Sequence, residues 1–142
     1  MVKRSIRAGI AIFLAWSIVD FFLHGLFLRS TYEAAAGLWR PTAQISMPLV
    51  YLVTAVLIAS FVLIYQVLIT PKSIVRGIRF GVLYGLTTGI ASGFGTYIHM
   101  PIPLTLAWGW FLGGLVKGIA AGAIVGAMVK SEVPADDKQQ AP

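Results

Sequence analysis

Apolar residues fill four long runs of this chain, at about 6–28, 48–69, 80–98 and 104–128, while most charged residues and prolines lie between or beyond them. A helix rises ~1.5 Å per residue and the hydrocarbon core of a bilayer is ~30 Å thick, so a crossing takes roughly 20 apolar residues. All four runs are near or above that length. The pattern predicts an all-α integral membrane protein whose four transmembrane helices form a bundle within 1–130. The remaining 131–142, rich in Pro, Asp and Gln, is predicted to be a disordered cytoplasmic tail.

Each run has its own internal pattern. In the first, Phe13, Trp16, Ser17, Asp20, His24 and Phe27 recur at helical spacing and mark one face, while Ile and Leu on the other face suit lipid. The second is the most uniformly apolar. Its Tyr51 and Tyr65 are predicted to sit at opposite interfaces, and Thr70-Pro71 to end it, because proline disfavours helix at the residue before it. Across the third and fourth, glycine recurs every fourth position: Gly77, Gly81, Gly85, Gly89 and Gly93, then Gly114, Gly118, Gly122 and Gly126. Four residues is slightly more than a turn, so each series is a side-chain-free groove along its helix. In lipid, helices associate by close backbone approach, which such spacing permits. Helices 3 and 4 are therefore predicted to pack through glycine ladders, meeting either each other or copies in an oligomer. A weak inverted repeat relating 81–89 to 114–122 is an alternative origin of the match.

The segment from Arg29 to Ser46 is the longest connection. Ser30 and Glu33 have the capping-box spacing, Gly37 can end the helix they start, and Tyr32, Leu38 and Trp39 suit an interface. A short interfacial helix is predicted there, with a lid over a pocket as the alternative. The stiff link His99-Met100-Pro101-Ile102-Pro103 joins the last two runs.

Composition agrees with this picture: 58% of residues are hydrophobic and 11% charged, against about a quarter charged in soluble domains. The net charge of +6 does not point to nucleic acid, because the basic residues flank the apolar runs. Lys3, Arg4, Arg7, Lys72, Arg76, Arg79, Lys130 and Lys138 fall on one side and only Arg29 and Arg40 on the other, which predicts that both termini are cytoplasmic. Asp20 to Ala36 separates the first apolar core from the small residues Ala34–Ala36 by too much for a cleaved signal peptide. The layout is similar to that of many small bacterial multi-pass proteins and implies an inner (plasma) membrane. That resemblance is one of shape and assigns no residues. The absence of cysteine excludes disulfides, thiolate metal sites and cysteine nucleophiles.

Ionisable groups inside a span are costly and mark candidate sites. Counted along the helices, Asp20 lies ~4–5 Å and His24 ~10 Å from the midplane, with Lys117 almost on it. Asp20 and Lys117 are thus predicted to pair, either as a structural lock or as part of an ion or proton path with His24 as its outer station. His24 and His99 together are weak candidates for a metal or haem site. No other cofactor is expected. No Gly-x-Ser-x-Gly, His-Glu-x-x-His or phosphate-loop signature supports an enzyme. The expectation is an oligomeric transporter or channel-like protein with an Asp/His/Lys path. The alternatives are a structural or accessory subunit whose ladders dock partner helices, and a bis-His redox protein.

Overall fold

The computed structural model describes residues 2–129; the predicted tail at 131–142 lies outside them. Those residues form α1 (Val2–Asp20), α2 (Arg29–Ala34), α3 (Met47–Leu68), α4 (Ile74–Ile90), α5 (Thr96–His99) and α6 (Leu104–Met128), with no strand among them. Among the described residues, three helical stretches are long and apolar enough to cross a membrane: Val2–Phe27, Met47–Leu68 and Leu104–Met128. The run at 80–98 differs from the expectation of a single even helix. It belongs to a rod that begins at Ile74, where Ser73 Oγ caps the Arg76 amide at 3.2 Å, and continues through a π-helical turn at Ala91–Gly95 into α5. Its regular α-helical part is 17 residues, below the length of a standard crossing.

α4 and α6 lie antiparallel with their glycine faces together. A methyl group added at Gly85 would fall 2.7 Å from the Gly114 carbonyl oxygen, and one added at Gly114 2.9 Å from the Gly89 Cα. Gly81 likewise faces Gly118 and Gly122, and Gly77 faces Gly122 and Gly126. Beyond the end of the second series, Gly89 and Gly93 meet the backbone of Phe111 and Ala107.

The chain just after α1 seats on a second set of glycines of α6. The chain widens into π-helical turns over Phe21–Phe27, closed by Leu28 N–H donating to Leu23 C=O at 2.8 Å. This five-residue step puts Leu23 and Leu28 on one face. Their side chains seat against Gly113 and Gly109 respectively. Nearer the N-terminus, Ala8, Ile12 and Trp16 pack with Ala121 and Val125, and α3 adds Ile58, Phe61, Val62 and Tyr65. Phe61, Phe80 and Tyr84 interlock here, with Phe61–Phe80 centroids 4.6 Å apart. The other half of α3 is exposed all round except at Thr54, as its uniformly apolar sequence implies for a lipid-facing helix.

Two local expectations are corrected. Tyr65 does not turn its ring to the surroundings; it is fully buried, and its hydroxyl donates to Ser73 C=O and accepts from Ser73 N–H, both at 3.1 Å. Lys72 Nζ closes the same turn on the Gln66 and Ile69 carbonyls, where a cation suits a helix C-terminus. Tyr65→Phe leaves the Ser73 N–H without its partner, while the Ser73 C=O still accepts from the Gly77 amide at 2.9 Å, and an equilibrium unfolding titration is expected to show a loss of about 1–2 kcal/mol. The capping box is also absent. α2 follows Leu28 without a side-chain cap, and Glu33 accepts from Arg29 at 2.9 Å instead. The helix is already under way before Ser30, so its amides are not free for a cap. Gly37 lies in a 3-10 turn, and no described glycine has positive φ, so it is no left-handed terminator.

Candidate functional site

Trp16 and Asp20 on α1 and His24 in the π-helical turns that continue it stand four residues apart, and all three line the cavity beside α6. Trp16 anchors the crossing: its Nε1 donates to the Lys117 backbone carbonyl at 2.9 Å, and its ring lies 5.0 Å from the Lys117 ammonium. That ammonium contacts both Asp20 carboxylate oxygens at 2.9 Å. On the next turn His24 Nε2 is 3.7 Å from Asp20 Oδ1.

The chain of polar contacts continues into the connection after α1. His24 Nδ1 is 2.7 Å from the Tyr32 hydroxyl, which also accepts from Trp110 Nε1 at 2.5 Å. Burial pushes the Tyr32 phenol above its ordinary value, so it keeps its proton at neutral pH. An indole N–H can only donate, so the single Tyr32 proton is available to His24 Nδ1, leaving the His24 N–H on Nε2, toward Asp20. A protonated His24 reverses the Tyr32 bond and donates from both ring nitrogens. Asp20, His24 and Tyr32 therefore form a short series of groups that can each give and take a proton, with Lys117 as the cation at one end, Trp110 as a donor at the other, and a 3.7 Å gap between Asp20 and His24 for a reorientation to close.

These groups line a cavity of about 400 Å³. Its back wall is α6 at Gly113, Gly114, Lys117 and Gly118, where absent side chains leave the space. α4 supplies Tyr84 and Thr88, the π-helical turn after it Ser92, and α3 only Leu57. The Thr88 and Ser92 hydroxyls bond back to the Tyr84 and Gly89 carbonyls. Toward the chain termini the cavity is closed by the apolar layer of Ile12, Trp16, Phe61, Tyr65, Ala121 and Val125. At the opposite end Tyr32, Leu38, Trp39 and Trp110 pack on Leu28, Ile102 and Leu106 as a cap, so the connection covers the bundle more than a surface helix would.

The structure thus brings Asp20, His24 and Lys117 together, and Gly114 and Gly118 with them. His99 is exposed at the end of α5 and does not line the cavity. No group of three or more His, Asp or Glu side chains that could hold a metal occurs among the described residues. Sequence reasoning missed Tyr32, Tyr84, Thr88, Ser92 and Trp110. Tyr84, Thr88 and Ser92 were detectable as a four-residue polar stripe beside the glycine series; Tyr32 and Trp110 carried no comparable signal. Compared with protein-family models, curated proteins and solved structures, the chain finds no match.

Proposed function

We propose that this chain is a four-span integral membrane protein, with both termini cytoplasmic, that works as a transporter with a proton path through Asp20, His24 and Lys117. In this reading the rod over 74–99, roughly 40 Å long at 1.5 Å per residue, is the third span. Facing glycine series hold it to the fourth, replacing the hydrophobic drive that lipid does not supply. The observation that carries the proposal is the alignment of Lys117, Asp20, His24 and Tyr32 along one cavity, with polar contacts of 2.7–2.9 Å at either side of a 3.7 Å Asp20–His24 step. The apolar layer beneath it favours a transporter that must rearrange over a standing pore. The exposed half of α3 leaves room for a second copy or a partner subunit.

The two-oxygen grip of Asp20 on Lys117 also supports the alternative, a structural or accessory subunit in which the pair only locks α1 to α6. Against its docking form, the glycine faces already meet one another within the chain. Proteoliposomes with a pH dye inside separate the two. Under an imposed gradient with a potassium shunt, wild-type vesicles are expected to acidify faster than empty ones. Asp20→Asn is expected to return to the empty-vesicle rate, normalised to folded protein. Wild-type vesicles as tight as empty ones would overturn the transport reading in favour of the accessory one.

A further inference from the structure

We propose that the cavity binds a small monocarboxylate with an apolar or aromatic body, and that its carboxylate replaces Asp20 on Lys117 when Asp20 takes up a proton. The inference rests on the transport reading and names the ligand class of the same site. The cavity holds one cation, Lys117, and that cation is held by one anion, Asp20. The titratable groups facing the pair are His24 from the π-helical turns after α1, Tyr32 from α2 and Tyr84 from α4, while α3 presents only Leu57. A ligand cation would meet the Lys117 ammonium with no free carboxylate to receive it. A ligand carboxylate meets a cation whose present partner can be neutralised.

The two members of the pair are not equally able to change charge. The Lys117 side chain is 24% exposed, and its ammonium is also stabilised over the Trp16 ring. The Asp20 side chain is 42% exposed and touches His24, the next member of the proton-bearing series. In the proposed exchange Asp20 is the displaced partner, and Lys117, held over the Trp16 ring, is the fixed cation. The exchange is balanced: one proton joins the Asp20 carboxylate, one ligand carboxylate takes its place at Nζ, and the net charge of the occupied site is unchanged. The rest of the lining suits the ligand body, with Leu23, Tyr84 and Trp110 around the bare backbone of Gly113 and Gly114. Its volume falls in the ordinary range for small-molecule sites, ~300–1,000 Å³.

The test is equilibrium binding of radiolabelled benzoate to the detergent-solubilised full chain, between about pH 5.5 and 8, where a carboxylate ligand stays ionised. Wild-type affinity is expected to rise as pH falls, by up to about tenfold per unit. Asp20→Asn should bind at least about tenfold more tightly than wild type at the alkaline end and lose most of the pH dependence. Lys117→Met should not bind, while Lys117→Arg, which keeps the charge, should bind and report that the fold tolerates change there. Affinity that is flat or falls with acidity, an Asp20→Asn variant that retains the full pH slope, or preference for benzyltrimethylammonium would each overturn the assignment. Binding is read without flux, so the two readings fail separately. Proton flux without benzoate binding condemns the ligand class, and benzoate binding without flux condemns transport.

Discussion

Gly118→Leu is expected to prevent α4 and α6 from closing, with a loss of at least about 3 kcal/mol and a large fraction of unfolded or aggregated protein. The cause is backbone against backbone. A first side-chain carbon at Gly118 would lie 2.7 Å from the Gly85 Cα and 2.8 Å from its nitrogen, and closer still to the Gly81 carbonyl oxygen. No rotamer relieves such a contact, because the obstructing atoms belong to a helix that can only move as a body. Moving it separates every other rung as well, from Gly77 with Gly122 to Gly89 with Phe111. Gly85→Leu is expected to act in the same way from the other helix. Gly37→Ala, with nothing within 4 Å of the added carbon, is the matched control and should melt like the parent. Thermal melts and size-exclusion profiles in detergent read all three variants. Parental behaviour in both leucine variants would refute the close-approach account.

The second large effect is expected from the pair joining α1 to α6. Asp20→Asn alone, or Lys117→Met alone, should each cost about 2 kcal/mol or more, because each leaves an opposite charge without its partner in a mostly apolar bundle. The figure is below the ~3–5 kcal/mol of a fully enclosed pair, since Asp20 is nearly half exposed to the cavity. The double variant Asp20→Asn, Lys117→Met removes both charges and should recover much of the loss. A double-mutant cycle on unfolding free energies is expected to give a coupling of about 1–3 kcal/mol. Additive losses would mean that the 2.9 Å contacts contribute nothing to stability. A stability cost and a lost proton flux are separate readouts, so Asp20 can fail one test and pass the other.

Much of this architecture was readable along the chain because local periodicity and length are written locally. The runs at 48–69 and 104–128 became Met47–Leu68 and Leu104–Met128, because long apolar stretches bounded by proline leave little choice of where a helix begins and ends. The pairing of Asp20 with Lys117 followed from depth alone, since two opposite charges at one level in apolar surroundings have few other partners. Local rules failed where a tertiary contact outweighed them. Serine at position 30 promised a helix start, yet the chain entered α2 straight from the π-helical turns and needed no cap. Tyr65 had the composition of an interface residue and went inside, because the α3–α4 turn supplied both a donor and an acceptor for its hydroxyl.

The sequence by itself determined the helices at Met47–Leu68 and Leu104–Met128, the glycine series at every fourth position, and the helical spacing of Trp16, Asp20 and His24. A repeat of four says that one side of a helix is bare, but it carries no record of which surface comes to lie against that side. Only the tertiary structure decided that the two grooves close on each other. It also seated Leu23 and Leu28 against Gly113 and Gly109, and brought Tyr32 and Trp110, 78 residues apart, to one hydroxyl beside His24. Those contacts depend on how α1, α2 and α6 stack in space. Each has its own period along the chain, and no shared period links them.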